Sequence, residues 1–488
     1  MISKTRHAVI VGGGLGGLAA ALRLTMRGWR VTVCEQDSVL GGKMSRWQSQ
    51  GFRFDTGPSL ITLPWIFEDL FAAAGADMRE HLELAPLEPL ARYVYADGVR
   101  FDYTTSMPGL LPILRDCEGS ADGFFRFMRL GAQIYALSKG TFLRRPVTAP
   151  PDRTVLSALR HAPLLRGWGN YHKTVCAYFR SPQLRQLFGR YPTYVGSSPY
   201  QTPATLAIIP YIEFAFGGWY VQGGLYRIVE TLVGLLDERG AELRTNARVA
   251  RIDAPSNSVQ GIELENGDRL AADLVIMNGD TSSSPGLLGG TVTKLPAADR
   301  SLSGLVLLVG INRRVADLHH HNVFFSRDYA EEFRQLFIER RIPDDPTVYV
   351  NVPSQSDPSS APQGGEALFL MINAPATGEQ WDGPRIAEAR NRVFNRLRAS
   401  GFPDIEGHIV VEHAVTPQML AERFGMPGGA IYGPHSHGWR KTFFRPPNKD
   451  KHVRGLYYAG GSAHPGGGTP MVLLSAKITE ELIARYEE

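Results

Sequence analysis

Short apolar runs broken by glycine set the first rhythm of the chain. Residues 8–11 have the pattern of a buried strand, glycines follow, and apolar positions at helical spacing over 18–27 end at Gly28. Residues 30–34 read as a strand again. Strand, turn, helix, strand is a βαβ unit, which normally crosses over right-handedly and implies a parallel sheet. A second block repeats the theme, with a helix over 224–239, strands over 242–244 and 247–254, and a buried strand over 273–277 that ends at Asn278-Gly279-Asp280. Between those strands, the alternation of VQGIELENGDRL predicts a hairpin about Asn266-Gly267. In the third block, GLYYAGG from Gly455 is a strand running into glycines, and a helix spans about 471–486. The expected fold class is therefore α/β, with one sheet domain assembled from the separated stretches 1–74, 216–289 and 441–488.

The intervening stretches 75–215 and 290–440 are richer in aromatics and less regular, and are expected to form an α+β substrate part with a helical region at about 105–190. Within it, 123–143 mixes phenylalanines and leucines with Arg126, Arg129 and Lys139. That composition suits a helix lying at a membrane interface as well as an ordinary packed helix. No apolar run is long enough to predict a membrane-spanning helix. The apolar N-terminal segment runs through glycines into a helix rather than into a cleavage site, so it does not read as a signal peptide.

With 488 residues the chain exceeds what one core ordinarily supports. Its formal charge of +4 is spread over 52 basic and 48 acidic residues without a basic patch, which argues against nucleic acid as a partner. Cys34, Cys117 and Cys176 are far apart and suggest neither a disulfide framework nor a zinc site. A reducing, cytoplasmic setting fits them best.

The chemistry begins at Gly12-x-Gly14-x-x-Gly17, between strand and helix. There the first glycine permits the turn, the second lets backbone approach a pyrophosphate, and the third lets helix pack on strand. The helix N-terminus offers N–H groups to phosphate. Glu35 ends the next strand, where a carboxylate accepts from the hydroxyls of an adenosine ribose. This is a Rossmann-type dinucleotide site.

After Glu35 come VLGGKMS, with Gly41, Gly42 and Lys43, and then GFRFDTGPS, with Gly57 and Pro58. The segment NARVARI, the Asn278-Gly279-Asp280 strand end and the C-terminal NKDKHVRGLYYAGGSAHPGGGTPMVLLSAKITEELI complete the set. Together these motifs resemble the bacterial-type phytoene desaturase family of carotenoid desaturases, within the FAD-containing amine oxidase-like superfamily. The match runs along essentially the whole chain and is most specific at its two ends.

The resemblance implies FAD as cofactor. Gly41 and Gly42 then approach its phosphates, and Lys43, where the family often carries Arg, adds a point charge near the pyrophosphate or the flavin. Gly57 and Pro58 lie beside the ring, Val249 holds the adenine edge with its backbone, and Asp280 either reaches the cofactor or caps the following turn. Gly461, Gly468, Thr469, Pro470 and Met471 bring a turn and a helix N-terminus to the flavin. Amine oxidases usually carry an acid at the position of Ser462, and its absence points toward the desaturases. His464 reads as a turn residue held by Pro465 more readily than as a base. Three consecutive histidines, His319 to His321, do not converge easily on one ion, and no metal is expected.

The implied activity is desaturation of a C40 or C30 polyene such as phytoene, with hydride passing to flavin and no strong base demanded; no catalytic residue is assigned. The implied partners are a hydrophobic carotenoid, the inner face of the cell membrane as a peripheral docking surface, and quinone or oxygen as electron acceptor. Oligomeric state is left open. Alternatives are an oxygenase acting on a terminal methyl, a hydroxycarotenoid 3,4-desaturase or an isomerase of the same family, and, from another class, a non-catalytic lipid-binding escort.

Overall fold

The computed structural model describes residues 5–150, 152–153, 156–157, 160, 169–292 and 294–487. The parts of the expected helical region at 151, 154–155, 158–159 and 161–168 lie outside the described residues.

Five parallel strands run in the order Leu456–Tyr458, Leu274–Met277, His7–Val11, Arg30–Cys34 and Glu242–Arg244. Strands from three distant parts of the chain thus pair directly, with Val9 opposite Val275 on one side and Thr32 on the other. Both faces of this sheet are covered, so its strands are continuous apolar runs rather than alternating ones. Ala8, Ile10, Val31, Val33 and Ile276 face the helices Leu15–Met26, Tyr226–Glu238 and Thr469–Tyr486. Val9, Cys34, Val275 and Met277 face a three-stranded sheet of Val249–Asp253, Gly261–Leu264 and Arg269–Ala271. The first helix starts at Leu15, three residues before the periodicity alone placed it, because its first turn is the glycine loop itself. The last helix likewise starts at Thr469, ahead of Met471.

The expected α+β substrate part contains a larger regular sheet than its sequence pattern announces. Residues 91–103 and 303–415 build a seven-stranded sheet in the order Ile409–Val415, Ser303–Ile311, Glu366–Ala374, Val348–Asn351, His321–Phe324, Ala91–Val94, Arg100–Tyr103. All its pairings are antiparallel except that of His321–Phe324 with Ala91–Val94. Its strands lack the alternation that advertises a half-exposed sheet, since all nine residues of Ser303–Ile311 are buried. One face, with Leu305, Leu307, Leu368 and Leu370, packs on Val393, Phe394 and Leu397 of the helix Gly383–Ala399.

Pleating turns the register row Tyr93, Val323, Tyr349, Met371 and Val306 to the opposite face. Over that face lie the helices Asp122–Gly140, Tyr171–Tyr178, Pro182–Gly189 and Ile208–Phe216, joined through an aromatic core of Tyr103, Phe124, Phe127, Phe179 and Phe188. Helix Asp122–Gly140 buries Phe124, Phe127, Met128, Leu130, Gly131 and Ile134 and leaves Phe125 48% exposed. At Gly131 a methyl group would stand 2.4 Å from Cβ of Tyr211, so only glycine allows the helix Ile208–Phe216 so close. No described helix is long and apolar enough to cross a membrane.

Candidate functional site

The glycine turn after the first strand is fixed by backbone contacts. Gly12 has φ +100° and its N–H donates to the Cys34 carbonyl at 2.8 Å. A methyl group on Gly17 would stand 2.2 Å from the Gly12 carbonyl oxygen, which is the close helix–strand packing the third glycine exists to permit. Gly14 is the N-cap residue of Leu15–Met26, and it gives the helix no side-chain cap; the first turn has no acid. Its free N–H groups point outward as an anion site.

Glu35 is buried, accepting from the N–H of Gly13 at 2.7 Å and of Asp37 at 2.9 Å. In this structure the carboxylate binds the strand end to the glycine turn, and the lone pairs left over are those a ribose would use. The Ala247 N–H donates to the Glu35 carbonyl at 2.8 Å, bringing Val249 and its strand beside it.

The second glycine pair folds back onto the first. Gly41 donates to the Gly13 carbonyl at 2.8 Å, Gly41 and Gly42 both have positive φ, and a methyl on Gly42 would stand 3.2 Å from Cα of Gly14. Lys43 is exposed, and its ammonium donates to the Ile431 carbonyl at 2.8 Å. Desolvation by the surrounding protein nonetheless draws that ammonium below its ordinary range, and the Asp280 carboxylate opposes the shift. At Gly57 a methyl would overlap the Lys43 carbonyl oxygen at 1.9 Å, and the run from Asp55 through Pro58 to Leu60 is half-buried throughout, a wall rather than a core.

Asp280 caps the turn Thr281–Ser283, accepting from the Ser282 N–H at 3.0 Å and its hydroxyl at 2.6 Å. The capping alternative is thus observed, while the carboxylate's field still acts on Lys43 and on Arg445. In the third block, Gly461 sits in the turn, Gly468 with φ +108° is the N-cap, and Thr469, Pro470 and Met471 form the first turn of a helix that also lacks a side-chain cap and an early acid. Ser462, the position without an acid, accepts from the Thr281 N–H at 3.0 Å and so stitches third block to second.

Asn278 pins the three blocks together, a role its sequence context did not announce. Its amide donates to the Gly12 carbonyl at 3.1 Å, and methyl groups on Gly14, Gly16 or Gly460 would each fall 2.6–2.9 Å from its side chain. Asn448, 1% exposed, does the same for the C-terminal turn, donating to the carbonyls of Tyr458 and His464 and to the Ser475 hydroxyl at 2.9–3.2 Å. His464 donates from Nε2 to the carbonyls of Phe142 and Arg145, both at 2.9 Å, which ties the turn to 142–145 and leaves Nδ1 buried and, among the described residues, without a partner. Arg445 is buried against the carbonyls of Tyr432 and Pro434, and burial draws it down to about 10. Only a buried asparagine or arginine with several backbone partners signals such roles, and the primary sequence does not show burial.

His319, His320 and His321 diverge. His319 meets Asp102 at 3.0 Å, His320 the Ser356 hydroxyl at 2.8 Å, and His321 the Tyr349 hydroxyl at 2.7 Å. Burial holds His321 well below its ordinary range, so it is neutral. Among the described residues no group of three or more His, Cys, Asp or Glu is gathered as metal ligands.

The residues present fit a dinucleotide. Two uncapped helix N-termini, glycine turns packed so closely that added methyls would strike neighbouring protein atoms, and the Lys43 ammonium lie together at the ends of the parallel strands. Beyond Ser59 lies a cluster of aromatic side chains, the candidate substrate chamber. Tyr349 shares a 2.7 Å hydrogen bond with the Ser59 hydroxyl, and Tyr194, Arg190 and Tyr349 are half-buried.

Residues 15–479 match the flavin containing amine oxidoreductase family. The chain is 34% identical over 486 residues, 98% of its length and 99% of the relative's, to a 1-hydroxycarotenoid 3,4-desaturase of Flavobacterium sp. (strain P99-3). It is 33% identical over 494 residues, 99% of its length and 95% of the relative's, to a zeta-carotene-forming phytoene desaturase of Myxococcus xanthus. Among solved structures, an oxidoreductase from Methanosarcina mazei superposes with a TM-score of 0.60 at 17% identity, covering 97% of this chain and 100% of its own.

Proposed function

The chain belongs to the flavin-containing amine oxidoreductase family, and from that premise we propose that it is an FAD-dependent carotenoid desaturase, introducing double bonds into a long polyene such as phytoene. The observation that carries this reading is the aromatic-rich cluster under the four helices, joined to the glycine-built cradle by the 2.7 Å bond between Tyr349 and Ser59. An aromatic-rich cluster suits an extended hydrocarbon. Similarity to carotenoid desaturases along essentially the full length supports the same substrate class.

When bound, FAD supplies the two-electron acceptor for hydride. On this reading, Gly12, Gly14, Gly17, Gly41 and Gly42 hold its phosphates, Lys43 and Asp280 set the charge beside them, and Glu35 and Val249 hold the adenosine half. Gly57 and Pro58 flank the ring, and Gly461, Gly468, Thr469, Pro470 and Met471 present a helix N-terminus to it. The stretches 1–74, 216–289 and 441–488 form the cofactor domain, and 75–215 with 290–440 the substrate part. Ring faces along the chamber ease positive charge as an allylic carbon loses hydride, so proton loss needs no strong base.

A substrate of this kind resides in lipid. Helix Asp122–Gly140, with Phe125 outward beside Arg126 and Arg129, is the surface we assign to docking on the inner face of the cell membrane from a cytoplasmic location. Quinone or oxygen then serves as the final electron acceptor. Expression in cells that accumulate phytoene, with pigments resolved by chromatography, tests the reading. New, more conjugated polyenes are expected; no product from phytoene, its C30 analogue or lycopene would overturn it.

A further inference from the structure

Away from cradle and chamber, one cleft is lined by two arginines and by no acid. Arg300 and Arg340 stand in it with Leu336, Phe337, Pro375 and Thr377, and none of these residues belongs to the cradle. Arg300 is half-buried and pinned. Its Nε donates to the Leu295 carbonyl at 3.1 Å, and its Nη1 to those of Ala376 and Thr377 at 2.9 and 3.1 Å. Its Nη2 meets no acceptor among the described residues. Gly428, with φ +60°, makes room for this seat, since a methyl there would stand 2.2 Å from Nη1.

Arg340 is exposed and ends the π-helical turn Gln335–Glu339 with φ +56°, a left-handed cap where glycine or asparagine is usual. The other arginines around that turn are neutralised. Arg334 pairs with Glu331 and Glu339, and Arg341 with Glu339 and Asp344. Arg340 has neither an ion pair nor a hydrogen bond among the described residues, and Arg300 has no ion pair. The strained backbone thus presents a charge that no contact within the described chain uses. Burial, and after it the charge of Arg340, draws Arg300 below its ordinary range. The two cations repel each other across the cleft, and no acid lines it to offset them.

We propose that Arg300 and Arg340 form a binding site for a phosphate monoester, whose terminal oxygens accept from Nη2 of the first guanidinium and from the open fork of the second. Near neutral pH such a group carries about two negative charges, which balances two guanidiniums. A carboxylate would balance only one of them. Leu336, Phe337 and Pro375 offer an apolar wall to the carbon skeleton that bears the phosphate. Ile338, two residues before Arg340, is 68% exposed and offers a further apolar contact if that skeleton is a lipid. A soluble ester and a lipid headgroup present the same chemistry here. The site needs nothing from the carotenoid reading.

The test titrates the full-length FAD-loaded protein with phenyl phosphate, inorganic phosphate and acetate by calorimetry. Wild type is expected to bind phenyl phosphate with a Kd below about 1 mM, inorganic phosphate more weakly and acetate most weakly. Arg340→Gln should weaken phenyl phosphate by about tenfold or more with the flavin band unchanged, whereas Arg341→Gln, which removes a paired charge next to it, should not. Arg300→Gln should weaken it as much. Should that variant lose its flavin because three carbonyls are left unmet, Arg340→Gly reads the same loss in a protein expected to melt no lower than wild type, since glycine accepts the left-handed backbone. Vesicle sedimentation then names the source. Weaker binding of Arg340→Gln than of wild type to phosphatidic acid vesicles, with phosphatidylcholine vesicles treating both alike, assigns a headgroup; equal binding of the two proteins to both vesicles, with phenyl phosphate still lost in the variant, assigns a soluble ester. No saturable binding of either phosphate probe, acetate bound as tightly as phenyl phosphate, unchanged binding in Arg340→Gln, or equal loss in Arg341→Gln would overturn the site.

Discussion

At the cradle the chain makes its surface out of backbone, and in the chamber out of side chains. Gly12, Gly17, Gly41 and Gly57 matter because of what they lack, and a methyl on Gly17 or Gly57 would strike a carbonyl oxygen at 2.2 or 1.9 Å. Arg190, Tyr194, Tyr349 and Glu213 matter because of what they carry, and they come from a helix end, a 3-10 turn, a sheet strand and another helix. A backbone-built site needs particular residues at fixed spacing along the chain. A side-chain-built site needs only that distant positions meet.

That contrast can be broken most severely at the cradle. Gly57→Ala is expected to abolish FAD retention and to cost about 3 kcal/mol of stability, the upper range of overpacking, because the atoms the methyl would meet are all backbone. Absorbance at 450 nm against 280 nm, with a thermal melt, checks both parts. A purified variant that stays yellow with an unchanged melt would show that the loop has room the glycine does not need.

The polar interior beyond the cradle should show its cost through pH. Glu332 is buried, accepts from the hydroxyls of Ser326 and Thr347 at 2.7 and 2.6 Å, and burial pushes it up to about 7. The folded chain therefore holds this proton more tightly than the unfolded chain. Stability should fall as pH rises from about 4.5 to about 7 and level off above, by on the order of 3 kcal/mol from this group. In Glu332→Gln that component of the slope should vanish, which denaturant titrations at pH 5 and pH 8 would detect.

Asn278→Ala tests whether a side chain can matter as much as a glycine within the cradle. Loss of its bond to the Gly12 carbonyl is expected to cost about 1–3 kcal/mol and to weaken FAD binding at least tenfold, measured by cofactor titration into the apoprotein. The smallest effect on folding is expected outside both regions. Phe125→Ser should alter stability by less than about 0.5 kcal/mol while reducing sedimentation with anionic vesicles, and unchanged vesicle binding would remove this helix from the docking surface.

Legibility in the sequence followed the same division. The parallel sheet was readable from 7–34, 242–277 and 455–486 because its strands are short, continuously apolar and bounded by glycine. The seven-stranded sheet was not, since burial on both faces erased the alternation that would have marked Ser303–Ile311 or Glu366–Ala374. The glycines and Glu35 stood out by spacing. Asn278 was visible only as the end of a strand, and the partnership of Tyr191 with Glu213 was invisible, because 22 residues and a helix separate Tyr191 from the carboxylate it binds. The middle region reads as rich in aromatics, yet Tyr191 and Tyr194 do more than pack: their hydroxyls donate to the buried Glu213 carboxylate.

The central claim, that cradle and chamber together pass hydride from a polyene to FAD, is tested most directly by one anaerobic mixing experiment. FAD-loaded protein is mixed with excess acyclic carotenoid in oxygen-free detergent, and the flavin band near 450 nm is deconvoluted from the polyene spectrum over time. The account predicts bleaching of one flavin per double bond formed, with a matching red shift of the polyene bands and no need for oxygen. Flavin that stays oxidised until oxygen is admitted, with products that then carry oxygen, would contradict it.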